Sequence, residues 1–289
     1  KIKPNFANAY YNLGNILEGL GELQEAELSQ RKAIELQPDF TKAYYSLSTL
    51  QYSNDNKIWQ NKLFSKNILN NKSEKDQVDI YFARANILHK SKKYAESSKY
   101  LQLANNLKLN LKPSKADLTI NKSKKLLIES DKKKTNPKEY EKPHESIFIV
   151  GMPRSGSTLL ETIISMNTRV DDLGEINILE ESFLEQKKVD QDLTLAEVYW
   201  KKINDHKNEA QITTNKWLYN YQYAGIIAKL IPNAKIIHCY RNPLDNLLSI
   251  YQAHFSRGNE YSSSLLDCTR VYLVQDEIMT EYKNRFRSK

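Results

Sequence analysis

The N-terminal part of the chain repeats itself at an interval of 34 residues. The residues that recur unchanged at this offset are Pro4, Phe6, Ala9, Tyr10, Tyr11 and Leu13, which return as Pro38, Phe40, Ala43, Tyr44, Tyr45 and Leu47. Within the first interval, the small residues Gly14 and Ala26 stand where two antiparallel helices approach closely, and Pro38 ends the second helix. Because such a unit cannot bury its apolar face alone, neighbouring units must stack. The periodicity therefore predicts an α-helical solenoid.

This pattern resembles the tetratricopeptide repeat. A degenerate second unit covers residues 41–74, and a third unit resumes at Tyr81, Ala85, Leu88, Tyr94, Leu101 and Ala104. We expect about three repeats in residues 1–111, with further repeats preceding residue 1, since about three are needed to bury a continuous core. The resemblance implies a protein or peptide partner. The alternative is a scaffold without a ligand of its own.

The net charge of +8 and the isoelectric point of about 9.1 favour anionic partners. Much of the excess lies in residues 112–145, which we interpret as a Lys-rich linker with a helix around residues 116–128. For this stretch a solvated linker without a ligand is the interpretation that we set against an anionic partner. We expect no nucleic-acid binding, because no aromatic-rich sheet face or recognition helix accompanies the lysines.

The apolar pattern gives no transmembrane segment, since no apolar run approaches the roughly 18 residues that span a bilayer. The two cysteines, Cys239 and Cys268, have no metal-type spacing and are typical of a reducing compartment. We therefore expect a cytoplasmic protein. A targeting signal upstream of residue 1 stays open.

Residues 146–289 have a different composition and predict a second domain. A strand at 147–150, a glycine loop and a helix at 157–166 are followed by further helices, a strand at 234–240 and a helix at 244–255. This alternation is typical of a parallel sheet. The expected fold is α + α/β, a tetratricopeptide α-solenoid followed by a P-loop-like three-layer α/β domain.

The glycine loop is the first candidate site. It places consecutive backbone N–H groups at a helix N-terminus, where they and the helix dipole bind phosphate-type oxygens. Gly156 permits the turn, and Arg154 offers forked donors to an anion. The candidate nucleotide-binding residues of the loop are Pro153, Arg154, Ser155, Gly156, Ser157 and Thr158.

A magnesium-dependent triphosphatase or kinase is the alternative for such a loop. Its motif carries a lysine after the last glycine, whereas Ser157 follows Gly156 here. It also needs a metal-binding acid on a later strand, and residues 236–240 contain none. The loop therefore favours a nucleotide site that works without a metal.

The strand at 234–240 supplies two further candidates. Arg241 follows its carboxyl end, and Ser249 lies two turns into the next helix, so both side chains can converge on one anion. Ligands of open α/β sheets bind at this edge. The alternative is that Arg241 pairs with a carboxylate such as Asp245.

Together, the loop and the pair of Arg241 and Ser249 resemble the sulfotransferase family, which uses 3′-phosphoadenosine 5′-phosphosulfate (PAPS) as co-substrate. The closest likeness is to the protein-tyrosine sulfotransferase branch and to bacterial proteins that fuse tetratricopeptide repeats to such a domain. The resemblance covers residues 146–289 and implies that the loop holds the 5′-phosphosulfate while Arg241 and Ser249 hold the 3′-phosphate. The family's C-terminal closing segment is missing, so we expect an incomplete domain.

The resemblance also implies two catalytic residues. Lys216, preceded by Asn215, matches the family lysine that donates to the bridging oxygen as sulfate leaves. Glu175 is the candidate general base, although Ile176 replaces the second acid of the family's Gly-Glu-Glu segment. The alternative for Glu175 is a helix-start carboxylate. The cytosolic branch would use a histidine at the position of Leu218, which favours a carboxylate base.

The resulting prediction is a sulfotransferase that moves a sulfuryl group from PAPS to an acceptor hydroxyl without a metal. The acceptor can be a protein tyrosine, a glycan or a small alcohol, and the repeats would recruit a protein partner or substrate. The alternative is a non-catalytic repeat scaffold with a nucleotide-binding domain.

Overall fold

A computed structural model describes residues 6–50, 58–135, 140, 144–188, 193–205, 212–255 and 258–286. The chain divides into two compact units. The first comprises Lys1–Ser114 and Tyr251–Ser264, and the second comprises Lys115–Ile250 and Leu265–Lys289. None of the helices in the described ranges combines the length and the apolar character needed to cross a bilayer.

The first unit is built from helices. They are α1 (Ala7–Gly19), α2 (Leu23–Leu36), α3 (Thr41–Thr49), α4 (Ile58–Phe64), α5 (Glu74–Lys90) and α6 (Tyr94–Leu111). Helices α1 and α2 pack closely at Gly14. A Cβ atom on Gly14 would lie 2.5 Å from Gln30 Nε2, a side-chain atom of α2. Ala26 is fully buried at this interface. The expected need for small residues between the two helices is confirmed.

The later helices of the first unit follow the same plan. Helix α3 packs against both α2 and α5, and α5 packs against α6. The Ser73 hydroxyl caps α5 by accepting a hydrogen bond from the Asp76 N–H at 3.2 Å. The second predicted repeat is irregular, since its helices α3 and α4 are short and a 3₁₀ helix follows at Lys66–Leu69.

Residues 251–264 are far from the repeats in sequence but belong to the first unit. The ring of His254 stacks on Phe82 of α5, with centroids 4.7 Å apart and planes 8° apart. Its Nε2 atom lies 3.0 Å from Asp79 Oδ1. The Asn105 amide donates to the Tyr251 carbonyl at 3.0 Å. Side chains of α5 and α6 therefore hold this segment.

The second unit alternates helices and strands. Its elements are α7 (Ala116–Lys132), β1 (Glu145–Gly151), α8 (Ser157–Ser165), β2 (Val170–Asp172), α9 (Ile178–Lys188), α10 (Leu195–Asn204), β3 (Ile212–Asn215), α11 (Ala224–Leu230), β4 (Ala234–Cys239), α12 (Pro243–Gln252) and α13 (Leu265–Arg285). The strands form a parallel sheet in the order β2-β3-β1-β4. The predicted α + α/β class with a parallel sheet is confirmed.

The sheet register brings the ends of three strands to one edge. Phe148 of β1 pairs with Asn215 at the end of β3 and with Ile236 of β4, and Gly151 pairs with Cys239. Phe148 is fully buried in the core, as expected for a central strand flanked on both sides. The loop after β1 therefore opens between the ends of β3 and β4.

Helix α7 lies in the stretch that the sequence indicated as a linker, residues 112–145. It packs against α13 within the second unit, and Leu126 joins the core beneath the sheet. Arg285 and Asp131 form an ion pair between the two helices. Helix α10 begins with a capping box in which Thr194 and Glu197 satisfy each other's backbone N–H groups.

Candidate functional site

The loop between β1 and α8 begins at a glycine whose backbone lies close to the neighbouring strand. Gly151 has a φ of 146°, and a Cβ atom there would lie 2.3 Å from the Cys239 carbonyl oxygen. Gly156 is the N-cap of α8 in the left-handed region, with a φ of 94°. Arg154 also has a positive φ of 67°. This backbone directs the loop into the N-terminus of α8, as the motif predicted.

A buried asparagine fixes the loop, and the sequence reasoning missed it. Asn246 of α12 is 1% exposed, and its amide donates to the Pro153 carbonyl at 2.9 Å. An asparagine in the first turn of a helix is ordinary in sequence, so only the fold shows this contact. Pro153 itself is buried.

The structure brings together the two predicted halves of the nucleotide site. Arg154 Nε donates to Ser249 Oγ at 3.3 Å, which joins the loop to α12. Arg241 is exposed just after β4, and within the described residues no ion pair joins it to Asp245. The alternative role of Arg241 as the partner of that carboxylate is therefore not seen.

The remaining loop residues differ in exposure. Ser157 is buried at the first position of α8, whereas Thr158 is exposed. Ser155 Oγ is buried and has no hydrogen-bond partner among the described residues. A buried hydroxyl without a partner is costly, so Ser155 is a candidate donor to the oxygens of a phosphate or sulfate group bound by the loop.

Lys216 and Glu175 meet beside the end of β3. The Leu173 N–H donates to the Thr214 carbonyl at 3.0 Å, and the Lys216 N–H donates to the Gly174 carbonyl at 2.9 Å. These two bonds pin the segment that carries Glu175, and Lys216 Nζ donates to Glu175 Oε1 at 2.7 Å. Glu175 lies three residues before α9 and contacts Lys216, so both the general-base role and the helix-start role stay predictions.

Asn215 shapes the turn that presents Lys216. Its Oδ1 atom accepts hydrogen bonds from the Trp217 N–H and from the Asn220 amide, both at 3.0 Å. Asn215 is 1% exposed. Asn215 therefore stabilises the turn from inside the second unit, and Lys216 provides the charged side chain next to it.

A second acid, Glu161 of α8, also reaches Lys216 and was missed from the sequence. It accepts from the Thr214 hydroxyl at 3.0 Å, and its Oε2 lies 3.8 Å from Lys216 Nζ. Burial raises the pKa of the Glu161 carboxyl above its ordinary value, and the Thr214 hydroxyl and the Lys216 charge oppose that rise. Its place one turn after Ser157, on the same helix face, could have signalled it.

Among the described residues, no hydrogen bond or ion pair links the histidine of β4 to this cluster. His238 lies in β4 with its Nε2 atom 2.7 Å from Gln275 Nε2, and burial lowers its pKa to about 4. The contact with Gln275 joins β4 to α13. Within the described ranges, no three His, Cys, Asp or Glu side chains are grouped closely enough to hold a metal ion.

Two family models match parts of this chain. The model of the sulfotransferase family matches residues 181–288, and that of the tetratricopeptide repeat matches residues 7–40 and 78–110. The sulfotransferase match includes Lys216 and Arg241 and begins after the glycine loop.

One curated relative is an uncharacterized protein of Aquifex aeolicus (strain VF5). It is 25% identical over 281 residues, which cover 88% of this chain and 36% of the relative. The chain therefore spans little more than a third of the length of that relative. No solved structure matches the chain.

Proposed function

Since the chain joins tetratricopeptide repeats to a sulfotransferase-family domain, we propose that it transfers a sulfuryl group from PAPS to an acceptor hydroxyl. The observation that carries this proposal is the cluster beside β3, where the Lys216 ammonium lies 2.7 Å from an exposed carboxylate, Glu175. An ammonium and a carboxylate in contact can serve the two ends of such a transfer, the leaving oxygen and the acceptor proton.

The loop and α12 have the donors that the nucleotide requires. Consecutive backbone N–H groups at the start of α8, with the side chains of Arg154 and Ser155, suit the 5′-phosphosulfate. Arg241 and Ser249 suit the 3′-phosphate. The buried Ser155 hydroxyl, which has no hydrogen-bond partner in the described part of the chain, supports this assignment. PAPS, when bound, supplies the sulfuryl group.

The roles of the two catalytic residues follow from their charges. Glu175 accepts the proton of the acceptor hydroxyl as the acceptor oxygen bonds to sulfur, which typically contributes about 10²–10⁴-fold. The bond between sulfur and the bridging oxygen breaks, and Lys216 donates to that oxygen as negative charge develops on it. The products are a sulfate ester and 3′,5′-bisphosphoadenosine. No metal takes part in this scheme.

The repeats are proposed to recruit the acceptor or a partner protein. Tetratricopeptide repeats stack to form extended surfaces for peptides and proteins, which makes a protein hydroxyl, such as that of tyrosine, a natural acceptor for this chain. A glycan or a small alcohol belongs on the same panel of acceptors, because the chemistry proposed at Lys216 and Glu175 requires only that the acceptor has a hydroxyl group.

Two measurements test the proposal. Calorimetry with 3′,5′-bisphosphoadenosine should show saturable binding that the Arg241→Ala variant weakens. A transfer assay with PAPS and a panel of tyrosine peptides, glycans and alcohols should show a sulfated product. Binding without transfer to any acceptor supports instead the repeat scaffold with a nucleotide-binding domain, and the absence of binding contradicts both.

A further inference from the structure

Helix α8 buries its acidic residue and exposes its large apolar residues, the reverse of an ordinary amphipathic helix. Glu161 is 6% exposed, whereas Leu159 is 68% and Ile163 is 56% exposed. Burying an ionised carboxylate is strongly unfavourable unless the carboxylate is paired and hydrogen-bonded. The orientation of α8 therefore requires partners that stabilise the Glu161 carboxylate inside the second unit.

Two side chains from the end of β3 supply those partners. The Thr214 hydroxyl donates to Glu161 Oε1 at 3.0 Å, and Lys216 Nζ lies 3.8 Å from Glu161 Oε2. Thr214 is fully buried and Lys216 is 5% exposed, so the two charges meet away from solvent. A separation of 3.8 Å is an ion pair rather than a hydrogen bond, and water screens it little at this depth.

Lys216 thus lies between two carboxylates of different kinds. The Glu175 side chain is 61% exposed and follows β2 on a loop, whereas Glu161 is anchored on α8 by Thr214. An exposed carboxylate can exchange the ammonium for a hydroxyl, but an anchored one cannot move away. The ammonium has three N–H donors, so it can keep the buried partner while it binds a further oxygen.

We propose that Glu161 is a positioning residue, whose buried negative charge holds the Lys216 ammonium beside α8. This inference rests on the proposed sulfuryl transfer, in which Lys216 stabilises the leaving oxygen and Glu175 accepts the proton. Because Glu161 retains Lys216, Glu175 can leave the ion pair and act on the acceptor. The other acid that faces Glu161 is Asp172.

Protection of Lys216 from a small amine reagent tests this role without a need for activity. The chain is treated with trace acetic anhydride, and peptide mass spectrometry follows the labelling of Lys216 against the exposed Lys235, which reports the dose. Glu161→Gln keeps the size of the side chain and its bond with Thr214 but removes the charge. Glu161→Asp keeps the charge on a shorter side chain.

The expected result separates charge from packing. Because loss of the buried charge releases the ammonium from its place beside α8, Glu161→Gln should label Lys216 about tenfold faster than the wild type. Glu161→Asp should stay closer to the wild type than Glu161→Gln does. The matched control is Glu181→Gln on α9, which removes an exposed carboxylate 3.8 Å from Lys202 and should leave Lys216 unchanged.

Two outcomes overturn the inference. Labelling of Lys216 in Glu161→Gln at the wild-type rate shows that the charge does not hold the lysine. Greater labelling in Glu161→Asp than in Glu161→Gln shows that packing does. If Glu161→Gln does not fold, Thr214→Val and Thr214→Ser replace it, and only the valine variant, which lacks the anchoring hydroxyl, should expose Lys216.

The catalytic readout is kept separate from the labelling. In the transfer assay, Glu161→Gln should lower kcat about tenfold or more and leave the affinity for 3′,5′-bisphosphoadenosine within about threefold, with Glu161→Asp restoring part of the loss. A wild-type chain that neither binds the nucleotide nor transfers sulfate sinks the proposed function. The labelling pattern still decides whether Glu161 holds Lys216.

Discussion

Asp79 in the first unit and Glu161 in the second are carboxylates of equal burial, each 6% exposed. Each accepts a hydrogen bond of 3.0 Å from a threonine hydroxyl, Thr41 for Asp79 and Thr214 for Glu161. In both cases the threonine lies on a different element from the acid. In both units, therefore, a hydrogen bond from a threonine hydroxyl offsets part of the cost of burying the carboxylate.

The two sites differ in the charged or polar partner that completes them. Asp79 lies against the imidazole of His254, whose ring is stacked on Phe82. Glu161 lies against the ammonium of Lys216, which also contacts the exposed carboxylate of Glu175. The first arrangement fastens a chain segment against an aromatic ring, and the second leaves a cation next to a solvent-facing acid.

The difference teaches that burial of an acid does not by itself indicate catalysis. What distinguishes the second unit is a partner that has both an anchored and an exposed counter-charge, beside a loop with the geometry of an anion site. Buried acids occur in structural networks as well as in active sites. The following variants test whether the network at Glu161 and Lys216 serves catalysis and the network at Asp79 and His254 serves stability.

The largest expected effect is that of Lys216→Ala on turnover. Loss of the group that stabilises the leaving oxygen should lower kcat about 10²–10³-fold. The affinity for 3′,5′-bisphosphoadenosine, measured by calorimetry, should change little. Lys235→Ala on β4 is the control and should keep full activity, and full turnover in Lys216→Ala would show that the role assigned to Lys216 is wrong.

Glu175→Gln should come next, with a fall in kcat of about 10²-fold, because general-base help is lost while the side chain keeps its size. The measurement is the steady-state rate of sulfate transfer at saturating PAPS. Glu181→Gln, another exposed acid, serves as the comparison. Equal rates in the two variants would remove Glu175 from the mechanism.

Arg241→Ala should act chiefly on nucleotide binding. A charge-assisted hydrogen bond is worth about 1.5–3 kcal/mol, so the affinity for 3′,5′-bisphosphoadenosine should fall roughly 10–100-fold. The same titration on Asp245→Asn should show no loss. An Arg241→Ala variant that binds as tightly as the wild type would place the 3′-phosphate elsewhere.

The smallest effect is expected in the first unit. His254→Phe keeps the stacked ring on Phe82 but leaves the buried Asp79 without one partner, at a cost of about 1–2 kcal/mol in local opening. His254→Ala, which also loses the ring, should cost more. Hydrogen exchange of peptides that cover 251–255 and α5 measures both, with β1 as the internal control. Unchanged protection in both variants would show that the His254 contacts do not fasten the segment.

Much of the fold followed from local patterns. The 34-residue offset predicted the helical repeats. The strand predicted at 147–150 is β1, Glu145–Gly151, and the helix predicted at 157–166 is α8, Ser157–Ser165. The strand predicted at 234–240 is β4, and the helix predicted at 244–255 is α12, which ends at Gln252. Strands β2 and β3 are short, and their sequences carry no alternation of apolar residues long enough to predict them.

The candidate site shows the same division. The types and spacing of Arg154, Lys216 and Arg241 suggested their roles through a family resemblance, and those roles stay predictions until the variants are measured. The contact between Arg154 and Ser249 agrees with that reasoning, since it joins the two motifs. The hydrogen bond from Asn246 to the Pro153 carbonyl could not be predicted from the sequence, because it depends on how α12 packs against the loop.

By itself, the sequence determined the elements whose signals are local: the repeat period, the glycine turn at a strand end, and the absence of a loop lysine. Only the tertiary structure decided which side of α8 is buried, so that Glu161 meets Thr214, 53 residues away, and Lys216. It also decided that residues 251–264 belong with the repeats. The physical reason is that a buried charge is stabilised by partners distant in sequence, and no local period encodes them.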